Sequence, residues 1–179
     1  MNQGFVKTAA ATPDVLVADC VENAEKIVDN IHEMERAGAK IMVFPELCLT
    51  GYTCGDLFWQ ERLIHEAENQ LGVIADQVRE VDGLIFLGLP WEECGKLYNV
   101  AAVISRGEVI GLVPKKNLPN YDEFYEMRHF EGGSRTVHMT SFRGKEVPFG
   151  MNLLFQCVEM PHLTAAAEIC EDLWSPNPP

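Results

Sequence analysis

The sequence predicts an α/β layered fold, and three observations predict it. Short continuous apolar runs, IMVF at residues 41–44 and LIFLGLP at 84–90, have the length and turn-bounded edges of buried strands. Two longer stretches instead repeat their apolar residues every three or four positions, as helices do. The order along the chain is strand, helix, strand, helix, strand, hairpin, the pattern of helices layered on a sheet. At 179 residues and 47% apolar content the chain can bury one sizeable core, and it carries no linker, repeat or low-complexity segment, so one domain is expected.

Each element follows from its residues. Residues 4–11 and 15–18 are small or β-branched with Pro13 between them, which predicts an opening strand and then a turn or irregular segment. Asp19 is placed to cap a helix from about Cys20 to Gly38. Ile27, Ile31 and Met34 form its apolar stripe, Glu25, Lys26, Asp29 and Glu33 lie largely off it, and Gly38 suits its C-terminal cap. The strand over residues 40–44 ends at Pro45, leaving Glu46 at its C-terminal end, where open α/β sheets place functional groups. LCLTGYTCGDLF then reads as a loop.

A second helix is predicted over residues 58–80, with Asp56 as its cap and Leu63, Ala67, Leu71, Ile74 and Val78 on its buried stripe. Residues 84–90 form a buried strand. Residues 97–104 and 109–113, joined by SRGE, form a hairpin. Beyond Pro114 the texture becomes polar and aromatic, KKNLPNYDEFYEMRHFEGG, an ordered loop with one helical turn at 122–127. Residues 137–139 and 153–158 read as short strands, and a last strand ends on Cys170, in TAAAEICEDLW.

Charge and cysteine usage narrow the function. With 27 acidic against 14 basic residues the net charge is -13, which disfavours nucleic acid and anionic membranes as partners. Residues 1–7 lack a charged segment leading into a long apolar run, and no run approaches membrane-spanning length, so a cytoplasmic protein is expected. The six cysteines are then expected as reduced thiols. No CxxC occurs and the five histidines are scattered, so no metal site is expected.

Three predicted strand ends carry reactive groups: Glu46 after KIMVFP, Lys115 after VIGLVP and Cys170 after TAAAEI. A cysteine attacking a carbonyl needs a proton acceptor, a positive group and backbone donors at the developing oxyanion. Glu46, Lys115 and the amide of Glu171 fit those needs. Taken singly, each has a plainer reading: Glu46 as a solvated turn residue, Lys115 and Lys116 as surface charges, Cys170 as a small buried apolar side chain.

Their contexts carry more. The stretches MVFPELCLTGYTCGDLF, PKKNLPNYDEFYE and EICEDLWSPNPP resemble the three catalytic segments of the nitrilase, or carbon-nitrogen hydrolase, superfamily. GYTCGDLF, LPNYDEFYE and CEDLW with PNPP resemble more narrowly the amino-terminal glutaminase domains of the glutamine-dependent NAD synthetase family. The resemblance spans nearly the whole chain. It implies a nitrilase-type α-β-β-α sandwich, with Glu46 as general base, Lys115 stabilising the tetrahedral intermediate and Cys170 as nucleophile. It further implies that Tyr52, Tyr121 and Phe124 line a glutamine pocket, that Glu126 is a second acid near the lysine, and that Glu171 assists.

The implied reaction is hydrolysis of the glutamine side-chain amide through a glutamyl thioester, with no metal or cofactor in that half-reaction. ATP and magnesium would act in a synthetase domain of the same parent chain, which would use the ammonia to make NAD from its deamido form. Because that family's catalytic domain continues past the cysteine, the resemblance implies that residues 1–179 are its N-terminal part, incomplete at the C-terminal side. An open sheet edge, association into a homo-oligomer and weak glutamine turnover by the isolated chain are expected with it. The alternatives are a free-standing amidase acting on another amide and a non-catalytic remnant.

Overall fold

The computed structural model describes residues 4–179. Residues 1–3, part of the amino-terminal stretch read for a leader, lie outside the described residues.

The first helix forms where its caps place it. In α1 (Cys20–Arg36), Asp19 Oδ1 accepts from the Glu22 N–H at 3.1 Å, satisfying a donor that the first turn leaves free. At the other end Gly38 takes φ +83°, and the N–H groups of Gly38 and Ala39 donate to the carbonyls of Glu35 and Met34. These paired bonds close the helix, and the left-handed residue between them is glycine because a Cβ there would be strained. Ile27, Ile31 and Met34 are buried, as their spacing predicts.

Seven strands form one sheet. They are β1 (Thr8–Ala10), β2 (Ile41–Val43), β3 (Leu84–Glu93), β4 (Lys96–Ser105), β5 (Glu108–Pro114), β6 (His138–Phe142) and β7 (Lys145–Phe149), in the order β1-β2-β3-β4-β5-β7-β6. β1, β2 and β3 run parallel; β3, β4 and β5 form an antiparallel meander. Helix α2 (Glu61–Gln77) packs with α1 over one face, where Leu71 and Ile74 meet Ile85, Leu87 and Leu89. On the opposite face Phe86, Val103 and Val113 pack against Phe155, Ala165 and Ile169, beside a small sheet of β8 (Phe155–Gln156) and β9 (Thr164–Ala165). Burial on both faces explains why LIFLGLP is continuously apolar instead of alternating. A helix layer, a main sheet and a second sheet are the α, β and β of the expected sandwich; among the described residues the second sheet has two strands.

The structure corrects several local expectations. Asp56 does not cap α2. Gln60 is the N-cap residue, without a side-chain bond, and Asp56 instead accepts from Arg128 Nε at 2.9 Å and Nη2 at 3.1 Å, because residues 52–59 coil into 3₁₀ turns where a loop was expected. The helical turn after Pro114 falls at α3 (Glu126–His129), a few residues later than predicted. The β6–β7 hairpin replaces the single short strand expected over 137–139, its Arg143–Gly144 turn sitting in a stretch too polar to suggest burial. The last predicted strand stops at Ala165. Residues 166–169 keep alternating burial but pair with no strand among the described residues, and Cys170 opens a 3₁₀ turn (Cys170–Trp174).

Candidate functional site

Glu46 is set by a turn folded directly onto β3. Phe44 N–H continues the ladder to Phe86 O at 2.9 Å, Pro45 has no N–H to extend it, and the chain doubles back with Leu47 at φ +52°. Leu49 N–H then bonds Gly88 O at 3.2 Å. The turn lies so close to β3 that a Cβ on Gly88 would come within 2.4 Å of Leu47 N and 2.5 Å of Pro45 O.

Lys115 follows β5 and stays tied to the sheet through its N–H to Asn99 O at 2.8 Å. It is 0% exposed, which overturns its single-residue reading as a surface charge. Nζ donates to Glu46 Oε1 at 2.6 Å and to Glu126 Oε1 at 2.7 Å. Asn99 Nδ2 donates to the same Glu46 oxygen at 2.5 Å, and Tyr52 Oη donates to Glu126 Oε1 at 2.8 Å. One buried cation therefore serves two carboxylates, each with a second donor.

The charges follow from this arrangement. Burial would lower the pKa of Lys115, but Glu46 and Glu126 more than offset it and hold the ammonium charged. Burial raises the pKa of Glu126, and the nearby Glu46 charge adds to that beyond what Lys115 can offset. Burial also raises Tyr52, reinforced by Glu126.

Cys170 is exposed, not buried as its single-residue reading suggested, and its backbone has φ +49°. Burial of the sulfur side raises its pKa, and the Glu46 charge raises it further, while Lys115 opposes both. The thiol thus lies in the field of Glu46 and Lys115 and rests protonated. At the rim Tyr121 Oη donates to Glu171 Oε2 at 2.9 Å. Phe124 stands edge-on between the two tyrosines, 6.4 Å from Tyr52 and 5.7 Å from Tyr121 by ring centroids.

All eight residues singled out in the sequence therefore belong to one neighbourhood. Asn99, Gly88 and Asp172 were missed. The signal for Asn99 was a lone amide inside the apolar run of β4; Asp172 is a second acid beside Glu171, with nothing in the sequence to mark it as buried. A cavity of about 860 Å³ opens elsewhere, between the main sheet and β8–β9, lined by Ile41, Leu84, Ile110, Leu154, Phe155 and Leu163, and none of the eight residues borders it. Among the described residues no three His, Cys, Asp or Glu side chains converge as metal donors would. No described helix is long and apolar enough to cross a membrane.

Comparison with known proteins identifies the family. The carbon-nitrogen hydrolase family model matches residues 7–179. The glutamine-dependent NAD(+) synthetase of Mycobacterium tuberculosis (strain H37Rv) is 36% identical over 178 residues, covering 99% of this chain and 26% of that protein. The enzyme of the same name from Aquifex aeolicus is 37% identical over 161 residues, covering 90% of this chain and 25% of its own length. This chain thus spans about a quarter of the relatives it matches. Among solved structures, a glutamine-dependent NAD(+) synthetase from Cytophaga hutchinsonii superposes with a TM-score of 0.80 at 30% identity, over 85% of this chain and 26% of that one. An amidase from Nesterenkonia sp., with a TM-score of 0.62 at 22% identity over 80% of this chain and 54% of that one, shares the fold. On the match over nearly its full length, this chain belongs to the carbon-nitrogen hydrolase family.

Proposed function

We propose that this chain hydrolyses the side-chain amide of glutamine, as the glutaminase region of a glutamine-dependent NAD synthetase. The observation that carries the reading is the buried Lys115 ammonium bonded to Glu46 at 2.6 Å with the Cys170 thiol in the field of both. A resting thiol whose pKa is raised needs a base at the moment of attack, and Glu46 is the carboxylate beside it.

Cys170 Sγ attacks the amide carbon while its proton passes to Glu46. Lys115 stabilises the oxygen that becomes negative, together with backbone N–H groups. Glu46 returns the proton to the leaving nitrogen, the C–N bond breaks, and ammonia departs from a glutamyl thioester. Water then gives a proton to Glu46 as it attacks the thioester carbon; the C–S bond breaks, Glu46 passes that proton to the leaving sulfur, and glutamate departs with the thiol and the Glu46 carboxylate restored. Tyr52, Phe124 and Tyr121 provide the aromatic wall, and Glu171 faces the substrate's polar end. Glu126 holds Lys115 through a second ion pair, at 2.7 Å. No metal or cofactor enters these steps. ATP and magnesium belong to a synthetase domain of the parent protein, which takes up the ammonia.

The test is covalent labelling of Cys170 by diazo-oxo-norleucine, a glutamine-shaped electrophile, read residue by residue by mass spectrometry. Labelling that glutamine suppresses and simple aliphatic amides do not is the expected result. Suppression by the other amides instead would point to a different amidase. No labelling at Cys170 in the full-length parent protein would remove the catalytic reading.

A further inference from the structure

Asp172 lies two residues beyond Cys170 and takes no part in the chemistry proposed above, yet it is 1% exposed. Its carboxylate gathers amide donors from two separate segments. Oδ1 accepts from Asn117 N–H at 2.8 Å, Asn117 Nδ2 at 2.9 Å and Lys116 N–H at 3.2 Å. Oδ2 accepts from Lys116 N–H at 3.3 Å and from Ile169 N–H at 3.4 Å. Asp172 N–H returns a bond to Ile169 O at 3.1 Å. The first group of donors begins at the residue after Lys115; the second is the residue before Cys170.

The two segments are held unequally without it. Lys115 is fixed by the ladder to β4 and by Gly133 N–H, which bonds its carbonyl at 2.8 Å. Residues 166–169 have no ladder partner among the described residues, and the turn they lead into is five residues long with Leu173 and Trp174 exposed. Cys170 must also hold a left-handed backbone, which a non-glycine residue keeps only when its surroundings impose it. Two further ties join the same regions, Lys116 Nζ to Asn177 O at 2.7 Å and Tyr121 Oη to Glu171, but both are exposed.

We infer that Asp172 is a positioning residue that sets the placement of Cys170 against Lys115 and Glu46, by tying the amide before the cysteine to the amides after the lysine. This rests on reading Cys170 as the nucleophile of that pair. It does not depend on which amide is hydrolysed.

Asp172→Asn tests it with little change in shape. The amide has one accepting oxygen, and Oδ1 with its three donors keeps it, so the NH₂ group falls opposite the Ile169 N–H, donor against donor. The arm reaching toward Cys170 is the one that breaks. The readout is iodoacetamide alkylation of Cys170 in the full chain across pH 6 to 10, resolved by peptide mass spectrometry because Cys94 and Cys157 also react. A folded Asp172→Asn protein, shown by circular dichroism and a cooperative melt, is expected to alkylate with a midpoint lowered toward that of a free thiol. The thiol leaves the environment that raises its pKa, and a shift of about half a pH unit gives roughly threefold faster alkylation at neutral pH.

An unchanged midpoint in the folded variant would overturn the inference. If Asp172→Asn does not fold, Asn117→Ala decides, since it removes only the Nδ2 donor; a smaller shift in the same direction supports the tie, and no shift sinks it. Failure of the glutaminase reading shows separately, as loss of glutamine protection against diazo-oxo-norleucine.

Discussion

The ammonium of Lys115 stands 2.6 Å from Glu46 Oε1 with its side chain wholly out of solvent, while Glu46 keeps 16% of its own side chain exposed. The glutamate thus keeps part of its side chain open to solvent while the buried lysine holds it at Oε1. Removing the lysine leaves Glu46 and Glu126 without their shared counter-charge. Lys115→Met is expected to destabilise the fold by about 3–5 kcal/mol, the scale for orphaning a buried charge, and to abolish glutamine-protected labelling. Chemical denaturation compared with wild type measures the first effect; stability within 1 kcal/mol of wild type would show that the carboxylates reprotonate or resolvate at little cost.

Glu126 gives a prediction opposite in sign. Its folded pKa is raised above the ordinary carboxylate value by burial and by Glu46, so across the interval between the unfolded and folded values the native state binds more protons. Stability contributed by this group is therefore present at low pH and falls as pH rises through that interval. Glu126→Gln removes the titration and keeps the contact with Tyr52. Its unfolding midpoint should gain on wild type as pH rises from about 4.5, the reference range for a free glutamate. A variant midpoint that falls relative to wild type as pH rises would contradict the assignment.

Cys170 carries a third. With its pKa raised by burial first and Glu46 second, wild-type alkylation should still be climbing beyond the ordinary thiol range. Glu46→Gln removes the opposing charge and should lower the alkylation midpoint, making the thiol a better nucleophile toward iodoacetamide. The same substitution should eliminate ammonia release, since no base remains for the amide. An alkylation midpoint that stays in place in Glu46→Gln would mean that Glu46 does not act on the thiol.

What the sequence disclosed and what it hid divide along physical lines. Ile27, Ile31 and Met34, or Leu71 and Ile74, are legible because helical burial repeats at a fixed spacing, and LIFLGLP because burial on two faces leaves no polar position. Glu46, Lys115 and Cys170 stand out as candidates because local motifs surround them, although none of the three looks unusual alone. Asp56 misled because an acid before a helix is a cap only if the backbone brings it to the first turn, and the 3₁₀ turns at 52–59 turn it toward Arg128 instead. Asn99 and Asp172 stayed hidden because their roles depend on partners 53 and 55 or 56 residues away. The strand expected to deliver Cys170 stops at Ala165 because a strand requires a neighbour as well as an alternating pattern.

Gly88 offers the sharpest test of how Glu46 is placed. A Cβ there would meet Leu47 N at 2.4 Å, Pro45 O at 2.5 Å and the Glu46 carbonyl carbon at 2.8 Å. All three are backbone atoms of the turn that carries the glutamate, so none can swing aside as a side-chain tip would. The turn must lift off β3, weakening the Leu49 N–H bond to Gly88 O and carrying Glu46 away from Asn99 and Lys115. Gly88→Ala should cost about 1–3 kcal/mol as an overpacking change. Its effect on diazo-oxo-norleucine labelling of Cys170 should exceed that of a core substitution of equal cost, because displacement falls on the proposed base. Gly72→Ala, in the interior of α2, is the control for adding the same methyl group away from the turn: the atoms nearest its Cβ all belong to the Arg143 side chain, at 3.1 Å or more, and alanine favours the helix by up to about 1 kcal/mol. Labelling in the control should equal wild type. If Gly88→Ala labels as fast as Gly72→Ala, the close approach of the turn to β3 does not govern where Glu46 stands.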